Sequence, residues 1–165
     1  MLAPIVINWY GPCDPYNIDK KFGSMGIYIL TGRKRYQRGT EILYCGITKA
    51  NFHNYIKSHY KLNKIYSKQN AWVGSITHPN PSEKRHRERA EWIIIYHCKR
   101  FHNQLKFNEK KTKNPPPEAG IIISHWFTAT GTPRINQPHP IRNLPDIICW
   151  DGEYWRASNL KVIPE

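Results

Sequence analysis

Two tyrosines and one glutamate are the residues of this sequence whose types and surroundings could do chemistry. Tyr28 and Tyr44 each lie in a short β-rich segment, and Glu91 is the last charged residue before the apolar centre of a predicted helix. A buried carboxylate needs a cation or hydrogen bonds. A phenol, with a reference pKa of about 10, gives up its proton at neutral pH only beside positive charge. These groups therefore suit chemistry on an anion in a positively charged site.

The charge balance favours a polyanionic partner. Lysine and arginine number 25 against 12 acidic residues, which gives a formal net charge of +13. Nucleic acid and an acidic membrane surface are the two usual candidates. No apolar run approaches the roughly 20 residues that a spanning helix needs, and the start Met1-Leu2-Ala3-Pro4 has no secretory signature. We predict nucleic acid as the partner, no membrane, and a cytoplasmic location.

The cysteine pattern agrees with a reducing compartment. The four cysteines lie far apart and form no Cys-x-x-Cys pair, so neither a zinc knuckle nor a redox motif is indicated. Two disulfides remain possible by number, and reduced thiols are the simpler prediction. The residues concerned are Cys13, Cys45, Cys98 and Cys149.

Two strands of a hairpin must position the tyrosines. They cover residues 25–30 and 41–46, and a polar, basic connection with glycine near each end joins them, which predicts an antiparallel pair. An earlier β-rich run over 5–10 predicts a strand that Gly11-Pro12 ends. A short apolar piece over 71–76 is predicted to return to the sheet.

Two helices are predicted after the hairpin. The first covers about 51–66, where apolar side chains recur at helical spacing. The second starts from Ser82 as N-cap, with Glu83 in its first turn, and reaches about Phe101. Its centre, residues 92–96, is apolar on all sides, which predicts a helix buried between other elements.

The C-terminal part is predicted to be a small β-rich appendage. A lysine- and proline-rich linker over 108–117 precedes it. Short β segments follow, with an Asp-Gly hairpin signal at 151–152. We therefore predict an α+β fold, with residues 1–114 forming a mostly antiparallel sheet flanked by helices. Residues 115–165 would pack on it through Trp126, Trp150 and Trp155.

Several of these residues together carry a resemblance to a known family. Gly26-Ile27-Tyr28 and Tyr44-Cys45-Gly46 resemble, in order and in their hairpin context, the two signature tripeptides of the GIY-YIG endonucleases. A later helix with Glu91, followed by Asn108, is similar to the family's pattern. The resemblance covers Met25 to Asn108. It implies a GIY-YIG-like sheet flanked by helices and an endonuclease that hydrolyses phosphodiester bonds in DNA with Mg²⁺ (or Mn²⁺).

The resemblance also implies a role for each matching residue. Phosphodiester hydrolysis needs an activated water, a cation on the phosphate oxygens and help for the leaving group. By position, Tyr28 is the general base, and Tyr44 lines the site and contacts the phosphate. Glu91 would hold Mg²⁺, a hard ion that prefers carboxylate and water. Asn108 either joins this set or serves as a loop cap.

One departure from the family weakens the implied activity. The family usually has an arginine on the first helix, where this chain has Tyr55, and no arginine occurs from 46 to 80. Loss of such a charge stabiliser typically costs on the order of a hundredfold in rate. His59, one turn beyond Tyr55, is the favoured substitute. Lys57 lies on another face of the predicted helix, and Arg87 could reach the site from the second helix.

Two basic clusters are predicted to contact nucleic-acid phosphates, with double-stranded DNA as the expected target. One lies on the hairpin connection and the other in the linker. The predicted contacts are Arg33, Lys34, Arg35, Arg38, Lys57, Arg87, Lys110, Lys111 and Lys113.

Other interpretations of the same residues stay open. The missing arginine favours a degenerate member of the family that binds nucleic acid without cutting it. A protein–protein module is a third hypothesis, which the basic charge disfavours unless the partner is acidic. Tyrosines are common in strands, and Glu91 could simply pair with Arg87 on its own helix.

Overall fold

The structure, a computed structural model, describes residues 2–160 and 163. Within these residues the chain forms a seven-stranded sheet with a helix on each face. The elements are β1 (Ile5–Cys13), β2 (Ser24–Arg33), β3 (Glu41–Asn51), α1 (Phe52–Lys57), β4 (Ser67–His78), α2 (Lys84–His102), β5 (Gly120–Phe127), β6 (Ile147–Trp150) and β7 (Trp155–Ser158). Short 3-10 helices cover Lys20–Phe22, Tyr60–Lys64 and Ile141–Asn143.

The sheet is mostly antiparallel, as predicted. Its strand order is β3-β2-β4-β1-β5-β6-β7, and among the strand pairs of the described residues only β1–β5 is parallel. The predicted hairpin is β2–β3, in which Tyr28 pairs with Gly46 and Leu30 with Tyr44. The coarse prediction of an α+β fold with a mostly antiparallel sheet and flanking helices is confirmed.

Side chains that alternate along β2 divide the core into two layers. Ile27 and Ile29 face α2, whereas Tyr28 and Leu30 face α1 and the Tyr60–Lys64 helix. Because both faces are covered, nearly every residue of β2 is buried. The hairpin tyrosine thus belongs to the α1 layer, although Glu91 is carried by the helix on the opposite face.

The predicted first helix over 51–66 is wrong in its length. The α-helix ends at Lys57, and a separate 3-10 helix starts after His59. His59 has extended backbone angles, and its Nδ1 accepts a hydrogen bond from the Lys61 amide. Because the His59 side chain caps the next turn, the chain does not continue as one α-helix. The helical spacing of the apolar residues over 51–66 therefore remains although the helix ends at Lys57.

The second helix agrees closely with its prediction, except at its start. It spans Lys84–His102, and its centre is buried. The N-cap is Glu83 and not Ser82, because Glu83 and His86 form a reciprocal capping box.

No helix within residues 2–160 is long and apolar enough to cross a membrane.

The C-terminal strands extend the same sheet. β1 lies between β4 and β5, so residues before and after the predicted boundary at 114/115 are joined by direct strand pairing. Trp126 stacks on Trp9 at 5.6 Å between ring centroids and Trp155 stacks on Tyr96 at 5.7 Å, so both contact the first 114 residues. Trp150 stacks on Trp155 at 4.8 Å, within the C-terminal part. The β-rich segment therefore continues the central sheet and does not form a separate layer.

Candidate functional site

The two tripeptides of the hairpin depend on each other sterically. A Cβ at Gly46 would lie 2.5 Å from the Tyr28 hydroxyl, so only glycine leaves room for this phenol. Gly26 is constrained similarly, because a Cβ there would lie 2.3 Å from the carbonyl oxygen of Gly74. The rings of Tyr28 and Tyr44 are consequently only 6.1 Å apart between centroids. The glycines therefore bring the two phenols together.

His59 joins this pair from the other side. Its Nε2 lies 2.8 Å from the Tyr28 hydroxyl, and its ring centroid is 5.0 Å from that of Tyr44. Because the Lys61 amide can only donate to Nδ1, the proton of the neutral ring sits on Nε2 and is donated to Tyr28 Oη. Burial lowers the pKa of His59, which favours this neutral form.

A small cavity lies on the open side of Tyr44. Its volume is about 160 Å³. Its walls include residues of β3, of α2 on the opposite face of the sheet, and of the segment after α2, which runs along the free edge of β3. The lining side chains belong to Tyr44, Tyr60, Lys61, Glu91, Ile95, Phe107, Asn108, Glu109, Lys110 and Lys111.

Lys61 is the most deeply buried cation of this cavity, with only 2% of the residue exposed. Its ammonium lies 5.8 Å from the Tyr44 ring centroid and 5.0 Å from that of Tyr60. Its acidic partner Glu109 is 3.5 Å away, and the Glu109 side chain is 79% exposed. A buried charge with so weak a partner is costly unless an anion enters the cavity.

Glu91 reaches the same cavity from α2 and is already paired. Lys111 Nζ donates a hydrogen bond to Glu91 Oε2. Burial raises the pKa of the Glu91 carboxyl, and the Lys111 ammonium opposes that shift. The alternative partner Arg87 is itself buried on α2 and does not line the cavity. Glu91 therefore belongs to the site and not to a pair within its helix.

The two phenols differ in their access to the cavity. Tyr28 is 1% exposed and lies behind Tyr44 and His59. Burial, followed by the neighbouring Tyr44, raises the pKa of Tyr28 far above its ordinary value. Burial, with contributions from Tyr60 and Glu91, raises the pKa of Tyr44 to about 12. Both phenols therefore keep their protons at neutral pH, and this geometry does not support Tyr28 as a base in the free protein.

Asn108 holds the edge of the site in place. Its Oδ1 accepts a hydrogen bond from the Cys45 amide, and its Nδ2 donates one to the Cys45 carbonyl, each at 2.9 Å. The amides of Leu105 and Phe107 donate to the carbonyls of Ile42 and Leu43 on the same strand. An exposed strand edge is thus covered, and the cavity wall after residue 108 is fixed to the hairpin.

Replacing Asn108 with alanine is expected to lower the free energy of unfolding by about 3 kcal/mol, because two buried backbone groups of Cys45 lose their partner. Asn108→Asp keeps one acceptor but places a buried carboxylate oxygen against the Cys45 carbonyl, so it should also destabilise the fold. Urea unfolding measures both, with the exposed Asn63→Ala as control. An unchanged midpoint for Asn108→Ala would show that these hydrogen bonds do not stabilise the edge.

The predicted phosphate contacts separate into two groups. Lys110 and Lys111 line the cavity, and Lys113 is exposed shortly after them. The hairpin cluster lies outside it: Arg33 contacts Ser67 and the Tyr66 ring, and Lys34 pairs with Glu41. Of the four remaining predicted contacts, Arg35, Arg38 and Lys57 are exposed outside the cavity, and Arg87 is buried and does not line it.

The cavity has donor groups that suit a hard cation only together with a phosphate. Mg²⁺ is usually held by one or two carboxylates, waters and substrate phosphate oxygens. Glu91 and Glu109 both line the cavity, and each is paired with a lysine. Within the described residues, no group of three or more His, Cys, Asp or Glu side chains is placed to hold a metal ion. The Glu91 carboxylate could hold such an ion if a phosphate bound in the cavity drew the Lys111 ammonium away from it.

Comparison with known proteins adds nothing to this description. No protein family, no curated protein and no solved structure that was searched matches the chain. The relation to the GIY-YIG endonucleases therefore rests on the residues of this chain alone.

Three polar residues of the cavity, Tyr60, Lys61 and Glu109, were missed by the sequence analysis. On a continuous helix, Lys61 would point about 200° away from His59, at 100° per residue. The break at Ser58–His59 turns it inward instead. The available signal was compositional: from 42 to 82 the chain has no acidic residue and five lysines.

Proposed function

We propose that this protein is an endonuclease that hydrolyses phosphodiester bonds in DNA, with the backbone phosphate bound in the cavity beside Tyr44. One observation carries the proposal: two lysines, a phenol and a buried glutamate from remote parts of the chain line a single small cavity. Lys61 and Lys111 supply the positive charge, and Tyr44 and Glu91 supply the remaining polar groups. Such a set suits an anion with several oxygens.

The surface around the cavity supports a nucleic acid over a small anion. The stretch from 42 to 82 has no acidic residue. Tyr60 and Tyr66 are 62% and 59% exposed on it, and each has a cation near its ring. Aromatic rings among lysines and arginines are typical of surfaces that contact both bases and phosphates. The four cysteines are free thiols, which agrees with a cytoplasmic location.

Each side chain of the site has a role in this proposal. Tyr44 keeps its proton and donates it in a hydrogen bond to a phosphate oxygen. Lys61 neutralises the charge of the bound phosphate from the buried side of the cavity, the role that is expected of the family's arginine. Tyr28 acts as a positioning residue, because its hydroxyl accepts the His59 Nε2 proton and so fixes the turn that carries Lys61.

Glu91 would hold the divalent cation, which when bound polarises the phosphate and lowers the pKa of a bound water. In the free protein the Lys111 ammonium is hydrogen-bonded to the Glu91 carboxylate. A phosphate in the cavity attracts Lys111 and so frees an oxygen of Glu91.

A second candidate function is binding of nucleic acid without cleavage. Two observations favour it: the Lys111–Glu91 pair already neutralises the carboxylate, and no arginine occurs between 46 and 80. In that case the cavity is a phosphate-binding site alone.

Supercoiled plasmid and DNA-binding titrations distinguish these functions. We expect nicking with Mg²⁺ or Mn²⁺ that EDTA abolishes, and an affinity for DNA whose logarithm falls linearly with the logarithm of the salt concentration. Binding without nicking, even at high protein concentration, would select the second candidate. If affinity is absent at low salt, or does not change with salt, nucleic acid is not the partner and both candidates fail.

A further inference from the structure

A second cavity adjoins the site and shares one side chain with it. Its volume is about 310 Å³, at the lower end of the range for small-molecule pockets. One wall is formed by α2 and the other by the lysine- and proline-rich linker, with Glu118 directly after it. The lining residues are Arg85, Glu88, Arg89, Trp92, Lys111, Pro116, Pro117 and Glu118.

Three apolar rings, those of Trp92, Pro116 and Pro117, line this second cavity among its charged side chains. Trp92 is half-buried, and its indole Nε1 donates a hydrogen bond to the Asn114 carbonyl at 3.1 Å, which fixes the ring. Pro116 and Pro117 form the opposite side. Indole and proline rings are surfaces on which planar aromatic groups stack.

The charges of the second cavity suit a neutral ligand with polar edges. The acids Glu88 and Glu118 are paired with Lys84 and Arg89, so no large excess of positive charge remains. The guanidinium of Arg89 lines this cavity and can donate hydrogen bonds to the edge of a base, whereas a phosphate is better served by the first cavity.

Lys111 connects the two cavities. Its ammonium donates to Glu91 in the first cavity and lies 5.9 Å from the Trp92 ring centroid in the second. Glu91 and Trp92 are consecutive residues of α2, and Lys111 lines both cavities, so the two cavities adjoin. We therefore take them as subsites for adjoining parts of one ligand.

We propose that the second cavity binds the base of the nucleotide adjoining the bound phosphate, stacked against Trp92. The inference rests on the proposed nucleic-acid binding and specifies its substrate class. A base enclosed between Trp92 and the prolines cannot remain paired in a duplex. The preferred substrate therefore has an unpaired nucleotide at the site, in a single strand, an overhang or a distorted duplex.

An abasic oligonucleotide tests this inference separately from phosphate binding. We expect a single-stranded thymidine 10-mer to bind about 10-fold more tightly than the abasic 10-mer with the same phosphates, because stacking is lost with the base. Trp92→Leu should remove the difference, and Trp92→Phe should keep most of it. Tyr36→Leu, exposed on the hairpin connection, is the matched control and should leave the difference unchanged.

A second variant covers the case in which Trp92→Leu does not fold. Pro117→Asp puts a negative charge on the exposed opposite wall and should also remove the difference between the two oligonucleotides. Equal affinities in the wild-type protein would overturn base stacking while leaving phosphate binding intact. A difference that survives both Trp92→Leu and Pro117→Asp would put the base elsewhere. Failure of both oligonucleotides to bind while plasmid DNA still binds would overturn the unpaired nucleotide as substrate, whereas failure of all three would overturn the proposed function itself.

Discussion

Glu91→Gln is expected to lower plasmid nicking by on the order of a hundredfold or more while leaving DNA binding intact. Glutamine keeps the shape of the side chain but cannot hold a divalent cation as a carboxylate does. The substitution also removes a negative charge from the cavity and releases Lys111. DNA affinity should therefore stay equal or rise, and rate and affinity should change in opposite directions.

The matched control for this experiment is Glu153→Gln. Glu153 is exposed in the turn between β6 and β7, outside both cavities. Nicking rates and dissociation constants are measured for both variants at the same salt concentration. If Glu91→Gln cuts at the wild-type rate, Glu91 is not the metal ligand. A parallel loss of binding and cutting would instead indicate that Glu91 only holds Lys111 in place.

Lys61→Met should weaken DNA binding about 10-fold and reduce any nicking on the order of a hundredfold, because the cavity loses its buried cation. Methionine fills a similar volume without charge. Burying an ammonium beside a mostly exposed glutamate is costly, so the free energy of unfolding should stay equal or increase. Loss of function without loss of stability is expected of a binding residue.

Lys57→Met is the control for Lys61, because both lysines lie in the same acid-free stretch and Lys57 is exposed on α1. We expect Lys57→Met to change DNA affinity only slightly. Unfolding in urea and DNA titration together check these outcomes. A large loss of stability in Lys61→Met with unchanged affinity would assign Lys61 a structural role and remove it from the site.

Much of the local structure was predictable because local interactions determine it. The β2–β3 hairpin, the late helix and the C-terminal strands all lie within a few residues of their predicted positions. Alternation along strands and apolar spacing along helices are properties of neighbouring residues. The approach of Tyr28 and Tyr44 follows in the same way, because antiparallel pairing at a known register puts them on one face.

The predictions that failed depend on single hydrogen bonds between side chains and backbone. The helix expected over 51–66 breaks where His59 caps the next turn, and α2 starts one residue later than expected, at the Glu83–His86 capping box. Hydrophobic periodicity does not reveal such caps, because the apolar side chains keep nearly the same spacing whether or not a cap ends the helix.

The sequence by itself determined the charge, the strand and helix segments, and, among the side chains that line the cavity, Tyr44, Glu91 and Lys111. Only the tertiary structure added Lys61 to them and placed Tyr28 behind Tyr44. Lys61 and Lys111 are 50 residues apart in the chain, and the turn at His59 and the edge cover held by Asn108 bring them to Glu91. Contacts between remote segments depend on how layers pack and edges close. No local pattern encodes that choice, so Lys61 was recognised as a cation of the site only in the folded chain.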